Sequence, residues 1–198
     1  MGDPTAEGVG GERKGYQKLM RAYLPDLLVA DGAVRAGAAL TVQAGRVVAV
    51  GAPVPGAKTI RLTGRAIFPG LVSAHSHAFQ RAIRGRTEGP STAGADAPYA
   101  RDERKMGAGR SNFWTWRTAM YEAANRLTPD DLHAVARMCF REMVRAGITA
   151  VGEFHYLHRD PDGRAYADPA ELERRVLAAA GEVGLRVVLL RTAYARAG

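Results

Sequence analysis

Short apolar runs separated by turn residues occupy the chain from Tyr23 to about Ile67. The run YLPDLLVA ends at Asp31-Gly32, and AALTVQ ends at Ala44-Gly45. Dipeptides of this kind connect neighbouring strands in hairpins. Several strands of about four to six residues, with turn residues about every ten positions, predict a small β unit.

Longer apolar runs replace this pattern in the rest of the chain: AIFPGLVSAH, ITAVGEFH and LRVVLLR. Strands that are apolar throughout are typical of parallel sheets, because both of their faces are covered. Helical patterns alternate with these runs, which predicts three consecutive β/α units and an α/β fold.

The helical segments carry recognisable start and stop signals. The first prediction is a helix over FWTWRTAMYEAANRL. A second helix begins with Thr128 as N-cap and Pro129 at the first helical position, and it ends at Gly147. A third is predicted to start at Asp168-Pro169 and to stop at Gly184.

These patterns divide the chain into three parts. Residues 1–18 are Gly-rich and polar and predict a disordered tail, residues 19–66 a small β domain, and residues 67–198 the β/α region. Within the last part, residues 86–112 form a long polar stretch that predicts a loop insertion. Its apolar content is too low to offset the entropy of ordering.

Composition narrows the class of protein. The 198 residues are 46% apolar and 24% charged, which excludes a wholly disordered chain. The net charge of +8 comes from scattered arginines without a basic cluster, so we expect no nucleic-acid partner. No apolar run approaches a membrane span, so we expect no membrane association. The single Cys139 excludes an intrachain disulfide and favours a reducing, cytoplasmic location.

Candidate chemistry lies at the end of the first long apolar run, in Ser73-Ala74-His75-Ser76-His77. Residues i and i+2 of a strand project to the same side, so both imidazoles can reach one point. Neutral imidazole is a common zinc ligand. The alternative is that two polar residues form ordinary hydrogen bonds at a strand end.

The segments HSHAFQRAIRG, FWTWRTAMY and AGITAVGEFHYLHRDPDGRAYADPAEL resemble the formimidoylglutamate deiminases, within the metal-dependent amidohydrolase superfamily. The resemblance runs from about residue 20 to residue 198. It implies an α/β fold with a small N-terminal β domain, followed by the first three β/α units of an amidohydrolase-type TIM barrel. A complete barrel has eight strands, so the resemblance implies an incomplete barrel and the N-terminal portion of a longer enzyme.

The resemblance also implies an activity and its residues. The reaction would be zinc-dependent hydrolysis of N-formimidoyl-L-glutamate to N-formyl-L-glutamate and ammonia, a step of histidine degradation. His75 and His77 would hold one Zn²⁺, and Gln80 and Tyr156 would contact this small-molecule substrate. The remaining zinc ligands and a proton-shuttle carboxylate are expected beyond this chain, so the 198-residue chain alone is expected to be inactive.

Alternatives remain open from the sequence. His155 is a candidate for a third zinc nitrogen from the neighbouring strand, and Tyr156 could instead pack beneath a loop. The enzyme could be another deaminase of the superfamily, acting on a guanine-like ring, or the chain could be an inert truncated fragment. A homodimer of the longer parent is a further expectation.

Overall fold

A computed structural model describes residues 19–85 and 113–193. The predicted tail, residues 1–18, and the predicted insertion, residues 86–112, lie outside the described residues. The chain divides into two compact units, Met1–Pro69 and Gly70–Gly198.

The first unit is a five-stranded sheet. Its strands are β1 (Arg21–Ala30), β2 (Ala33–Ala36), β3 (Ala39–Gln43), β4 (Arg46–Gly51) and β5 (Lys58–Ile67). Strand β1 is central, because it pairs antiparallel with β2 and β3 and parallel with β5, while β4 extends the sheet beyond β3. The predicted small β unit is therefore confirmed.

Two tight turns have the backbone that their residues predict. Asp31 and Gly32 have φ values of 51° and 73°, and Ala44 and Gly45 have values of 50° and 74°. Positive φ at both central residues is characteristic of the type I′ turn, whose twist matches that of the flanking strands. These turns fix the β1–β2 and β3–β4 registers.

The second unit alternates strands and helices. In chain order it contains β6 (Leu71–Ser76), a 3-10 helix (Ala78–Ile83), α1 (Phe113–Ala124), α2 (Pro129–Arg145), β7 (Ile148–His155), α3 (Glu171–Val183) and β8 (Arg186–Arg191). The three strands form a parallel sheet in the order β6-β7-β8, which confirms the predicted β/α units. Among the described helices, none is long and apolar enough to cross a membrane.

Helices cover one face of this sheet. Along β7, Val151, Glu153 and His155 are buried, while the residues between them are only half-buried. Val151 packs in a core with Phe140 of α2 and Val176 of α3. Burying such side chains supplies most of the stabilisation of the unit.

Two features predicted for the first long apolar run were wrong. The run AIFPGLVSAH is not one strand: β5 ends at Ile67 and β6 begins at Leu71, and Pro69, which has no N–H to donate to a ladder, lies between them. Strand β6 is also not buried on both faces, since Val72 is 71% exposed.

The third helix starts later than predicted. It begins at Glu171 rather than at Asp168-Pro169. The Asp168 carboxylate accepts a hydrogen bond from the Ala170 N–H at 2.9 Å, so it caps the turn that precedes the helix. Asp168 therefore lies in the turn before the helix and not in its first turn.

We predict that Thr128→Ala lowers the free energy of unfolding of the second unit by about 1 kcal/mol. Thr128 and Asp131 form a capping box, in which each side chain accepts a hydrogen bond from the other residue's backbone N–H. Urea denaturation followed by helical circular dichroism would measure the loss. Thr63→Ala, at an exposed position of β5, serves as control and should change stability by less than about 0.5 kcal/mol.

Candidate metal centre and substrate contacts

An irregularity in β6 decides where its histidines lie. Ser73 pairs with Val151 and Ser76 pairs with Glu153, so three steps along β6 match two steps along β7. Between these two pairs β6 therefore carries one extra residue, which is the definition of a β-bulge. It offsets an extra residue of β7 between the Leu71–Ile148 and Val72–Ala150 pairs. Ser76 is buried on the side of the sheet that Glu153 faces.

The bulge turns His75 and His77 away from the helices. If β6 continued in the register of its Ser73–Val151 pair, His75 would pair with Glu153 and would share its helix-covered face. With the extra residue, Ser76 takes that position instead. His75 is exposed, and its ring lies against Phe154, with centroids 4.4 Å apart.

The two imidazoles converge through the same ring atom. Their Nε2 atoms are 2.9 Å apart. Nδ1 of His77 lies 2.9 Å from the carbonyl oxygen of Phe154, which can only accept a hydrogen bond. Nδ1 of His77 is therefore the donor, and a neutral His77 ring presents its Nε2 lone pair toward His75.

This geometry suits two ligands of one metal ion. Two nitrogens on a tetrahedral zinc lie about 3.3 Å apart, given Zn–N distances of about 2.0–2.1 Å. The carbonyl that holds Nδ1 of His77 is the usual outer partner of a metal-ligating histidine. Within residues 19–85 and 113–193, no third His, Cys, Asp or Glu completes a group with this pair.

His155 does not supply a third nitrogen to this pair, which decides an alternative that the sequence left open. It is 2% exposed and lies on the helix-covered face of β7, with its ring 5.6 Å from that of His158. The alternation of side chains along a strand places Phe154 and Tyr156 on the opposite side. Because neighbouring residues face opposite sides, His155 lies on the other side of the sheet from Phe154 and Tyr156.

Gln80 and Tyr156 come together beside the histidine pair. The Gln80 side-chain Nε2 donates a hydrogen bond to the Tyr156 hydroxyl at 3.0 Å. Tyr156 packs edge-on to the rings of His77 and Phe79, with centroid separations of 5.1 and 5.2 Å. The 3-10 helix after His77 positions Gln80, and the end of β7 positions Tyr156.

Glu153 is a site-supporting residue that the sequence analysis missed. It is 1% exposed, and its Oε1 accepts a hydrogen bond from the Ala78 N–H at 2.6 Å. Burial raises the pKa of this carboxyl, although the Ala78 hydrogen bond opposes the shift. The carboxyl ties β7 to the segment that carries both histidines. A charged residue within an apolar strand was the available signal.

Thiol chemistry is absent from the described part of this unit. Burial raises the pKa of Cys139 to about 11, with smaller contributions from Glu153 and Glu142. The thiol therefore stays protonated at neutral pH, and the thiolate is the form that attacks carbon or binds metal.

Comparisons with known proteins agree on one protein family. Residues 66–197 match the sequence model of the amidohydrolase family. The chain is 43% identical over 135 residues to formimidoylglutamate deiminase of Pseudomonas aeruginosa, covering 68% of this chain and 26% of that protein. It is 27% identical over 128 residues to 8-oxoguanine deaminase of the same species, covering 63% and 22%.

Solved structures show the same fold. The crystal structure of an amidohydrolase from Brucella melitensis has a TM-score of 0.68 and 29% identity, over 87% of this chain and 34% of that one. Atrazine chlorohydrolase from Arthrobacter aurescens, crystallised with zinc, has a TM-score of 0.58 and 21% identity, over 87% and 35%. The chain spans about a quarter of the length of the curated relatives it matches.

Proposed function

Since the chain belongs to the amidohydrolase family, we propose that it forms part of the active site of a deiminase acting on N-formimidoyl-L-glutamate. The products would be N-formyl-L-glutamate and ammonia. The observation that carries the proposal is the convergence of the Nε2 atoms of His75 and His77 at 2.9 Å, beside the Gln80–Tyr156 pair. The 43% identity to a formimidoylglutamate deiminase supports this substrate.

The reaction is the replacement of nitrogen by oxygen at one carbon. The oxygen of water forms a bond to the formimidoyl carbon, and the bond from that carbon to the terminal nitrogen breaks. That nitrogen leaves as ammonia after taking up two protons, both of which come from the water. When bound, a zinc ion would supply a Lewis acid that makes water reactive near neutral pH.

His75 and His77 would hold this one zinc ion through Nε2. The Phe154 carbonyl fixes the His77 ring, and contact with Phe154 restrains the His75 ring. Glu153 acts behind them as a positioning residue, because it holds the Ala78 N–H immediately after His77. Restraint of this kind maintains ligand geometry without further contact to the metal.

Gln80 and Tyr156 would bind the glutamate part of the substrate. An amide and a phenol can donate hydrogen bonds to carboxylate oxygens without adding a charge that titrates near pH 7. The existing Gln80–Tyr156 hydrogen bond keeps both groups on the same side of the 3-10 helix. A dicarboxylate substrate needs such donors more than a neutral heterocycle does.

A segment exchange tests the substrate. The aligned segment of this chain would replace its counterpart in two relatives, the formimidoylglutamate deiminase and the 8-oxoguanine deaminase of Pseudomonas aeruginosa. We expect ammonia release from N-formimidoyl-L-glutamate in the first hybrid and no measurable turnover of 8-oxoguanine in the second. Each unmodified relative is the control for its own assay.

The reverse pattern, with turnover only in the 8-oxoguanine deaminase hybrid, would contradict the proposed substrate. It would favour a deaminase of a guanine-like ring.

A further inference from the structure

A second group of potential ligands lies on the other face of β7 from the histidine pair. His155 ends β7, His158 follows in the next loop, and Glu173 lies in the first turn of α3. One potential ligand atom from each lies within 4.8 Å of the others. His155 and Glu173 are 2% and 5% exposed.

Two atoms of this group are buried without a hydrogen-bond partner among the described residues. They are Nε2 of His155 and Oε2 of Glu173. Burial lowers the pKa of His155 to about 4, so its ring is neutral at pH 7. A buried lone pair without a donor costs free energy comparable to a lost hydrogen bond.

The acceptors around His158 show which of its ring nitrogens carries a hydrogen. Its Nε2 lies 2.8 Å from the carbonyl oxygen of Thr192, which can only accept, so Nε2 carries a hydrogen. Its Nδ1 lies 2.9 Å from Oε1 of Glu173. A neutral His158 ring therefore directs a lone pair at a carboxylate oxygen, and a positive charge between them would remove the repulsion.

Contacts from Arg191 and Thr192, at the end of β8, hold this group in place. The Thr192 N–H donates to the carbonyl oxygen of His155 at 2.8 Å, which joins the end of β8 to the end of β7. Arg191 Nε donates to Oε1 of Glu173 at 2.7 Å and leaves Oε2 unoccupied by that contact. The Thr192 carbonyl on Nε2 of His158 is the outer partner that metal-ligating histidines commonly have.

We propose that His155, His158 and Glu173 form a binding site for a divalent transition-metal ion such as zinc, separate from the His75–His77 pair. Two imidazoles and one carboxylate are a donor set that zinc uses in proteins. The site does not depend on the proposed deiminase activity. The side-chain alternation along β7 keeps the two groups on opposite faces of the sheet, so each can be removed without touching the other.

The test uses the 198-residue chain with both His75→Ala and His77→Ala. This double variant keeps three of the five histidines, namely His133, His155 and His158. Zinc would be added while the imidazole resonances are followed by NMR. We expect one equivalent of zinc to shift the signals of His155 and His158 and to leave that of His133 unchanged.

His133 is a matched internal control. It also lies beside a glutamate, with its Nε2 3.0 Å from Oε1 of Glu182, but this pair is partly exposed and no third ligand atom joins it among the described residues. Absence of zinc binding by the double variant would overturn the proposal, because the three side chains would then form a hydrogen-bonded group and no metal site. Equal shifts of all three histidine signals would overturn it as well.

Further variants separate a metal site from a polar network. In the double-variant background, His158→Ala should weaken cobalt(II) binding at least about a hundredfold, because a ligand is lost. Arg191→Gln should preserve or strengthen binding, because it removes a neighbouring positive charge without removing a ligand. Cobalt affinity that falls with Arg191→Gln and not with His158→Ala would contradict the assignment. The NMR titration decides the matter without these variants if either fails to fold.

Discussion

Replacing His77 with alanine in the formimidoylglutamate deiminase hybrid is expected to lower kcat/KM at least about a thousandfold, or about 4 kcal/mol of transition-state stabilisation. His77 would be a direct zinc ligand whose ring is oriented by the Phe154 carbonyl. Losing it leaves one histidine of the convergent pair, which cannot retain the ion. Zinc content, measured by elemental analysis, should fall by one ion per chain.

Gln80→Ala is the matched variant, since Gln80 lies three residues further along and contacts Tyr156. It should leave zinc content unchanged and lower kcat/KM by about 10- to 100-fold, the effect of losing one hydrogen bond to a charged substrate group. If both variants lose the same amount of zinc, the division between metal-binding and substrate-binding residues is wrong.

Gly152→Ala is expected to destabilise the second unit by about 1–3 kcal/mol, the range for forced overpacking. A Cβ at this position would lie 2.7 Å from the backbone carbonyl oxygen of Ala74, in the bulged part of β6. A backbone atom within a sheet cannot rotate away as a side-chain tip can. The strands must therefore separate at the point that positions His75. The urea midpoint of the 198-residue chain measures the effect.

Gly181→Ala provides the control with the same chemical change. Gly181 lies in the last turn of α3, and a Cβ there would meet nothing within 4 Å. Since alanine favours helix more than glycine does, this variant should stabilise the unit by up to about 1 kcal/mol. Destabilisation of similar size by both substitutions would show that the close approach of Gly152 to Ala74 is not the cause.

Local patterns were sufficient for most of the fold. The limits of β7 agree with the apolar run ITAVGEFH, and Thr128 and Pro129 begin α2 as predicted. These elements depend on periodicity and capping, which neighbouring residues determine. The break at Pro69 was missed because an apolar run does not show which of two compact units each residue joins.

The second group of potential ligands could not be predicted in the same way. His158 and Glu173 are fifteen residues apart, and only the fold of the loop between β7 and α3 brings them within 2.9 Å. The sequence left open whether His155 lines the site, because proximity along the chain to Tyr156 does not indicate the face of the strand. Tertiary packing, and not local sequence, determined both results.

The extra residue of β6 restores a register that the extra residue of β7 has shifted. If β6 continued in the register of its Ser73–Val151 pair, His75 would lie opposite Glu153 and would face the layer of α2 and α3. Ser76 takes that position instead, because one irregularity offsets the other. The orientation of the His75–His77 pair is therefore a property of two strands, and a change of length in β7 can reverse it while the histidine motif stays the same. The chemical meaning of a His-x-His pair depends on the strand beside it as well as on its own sequence.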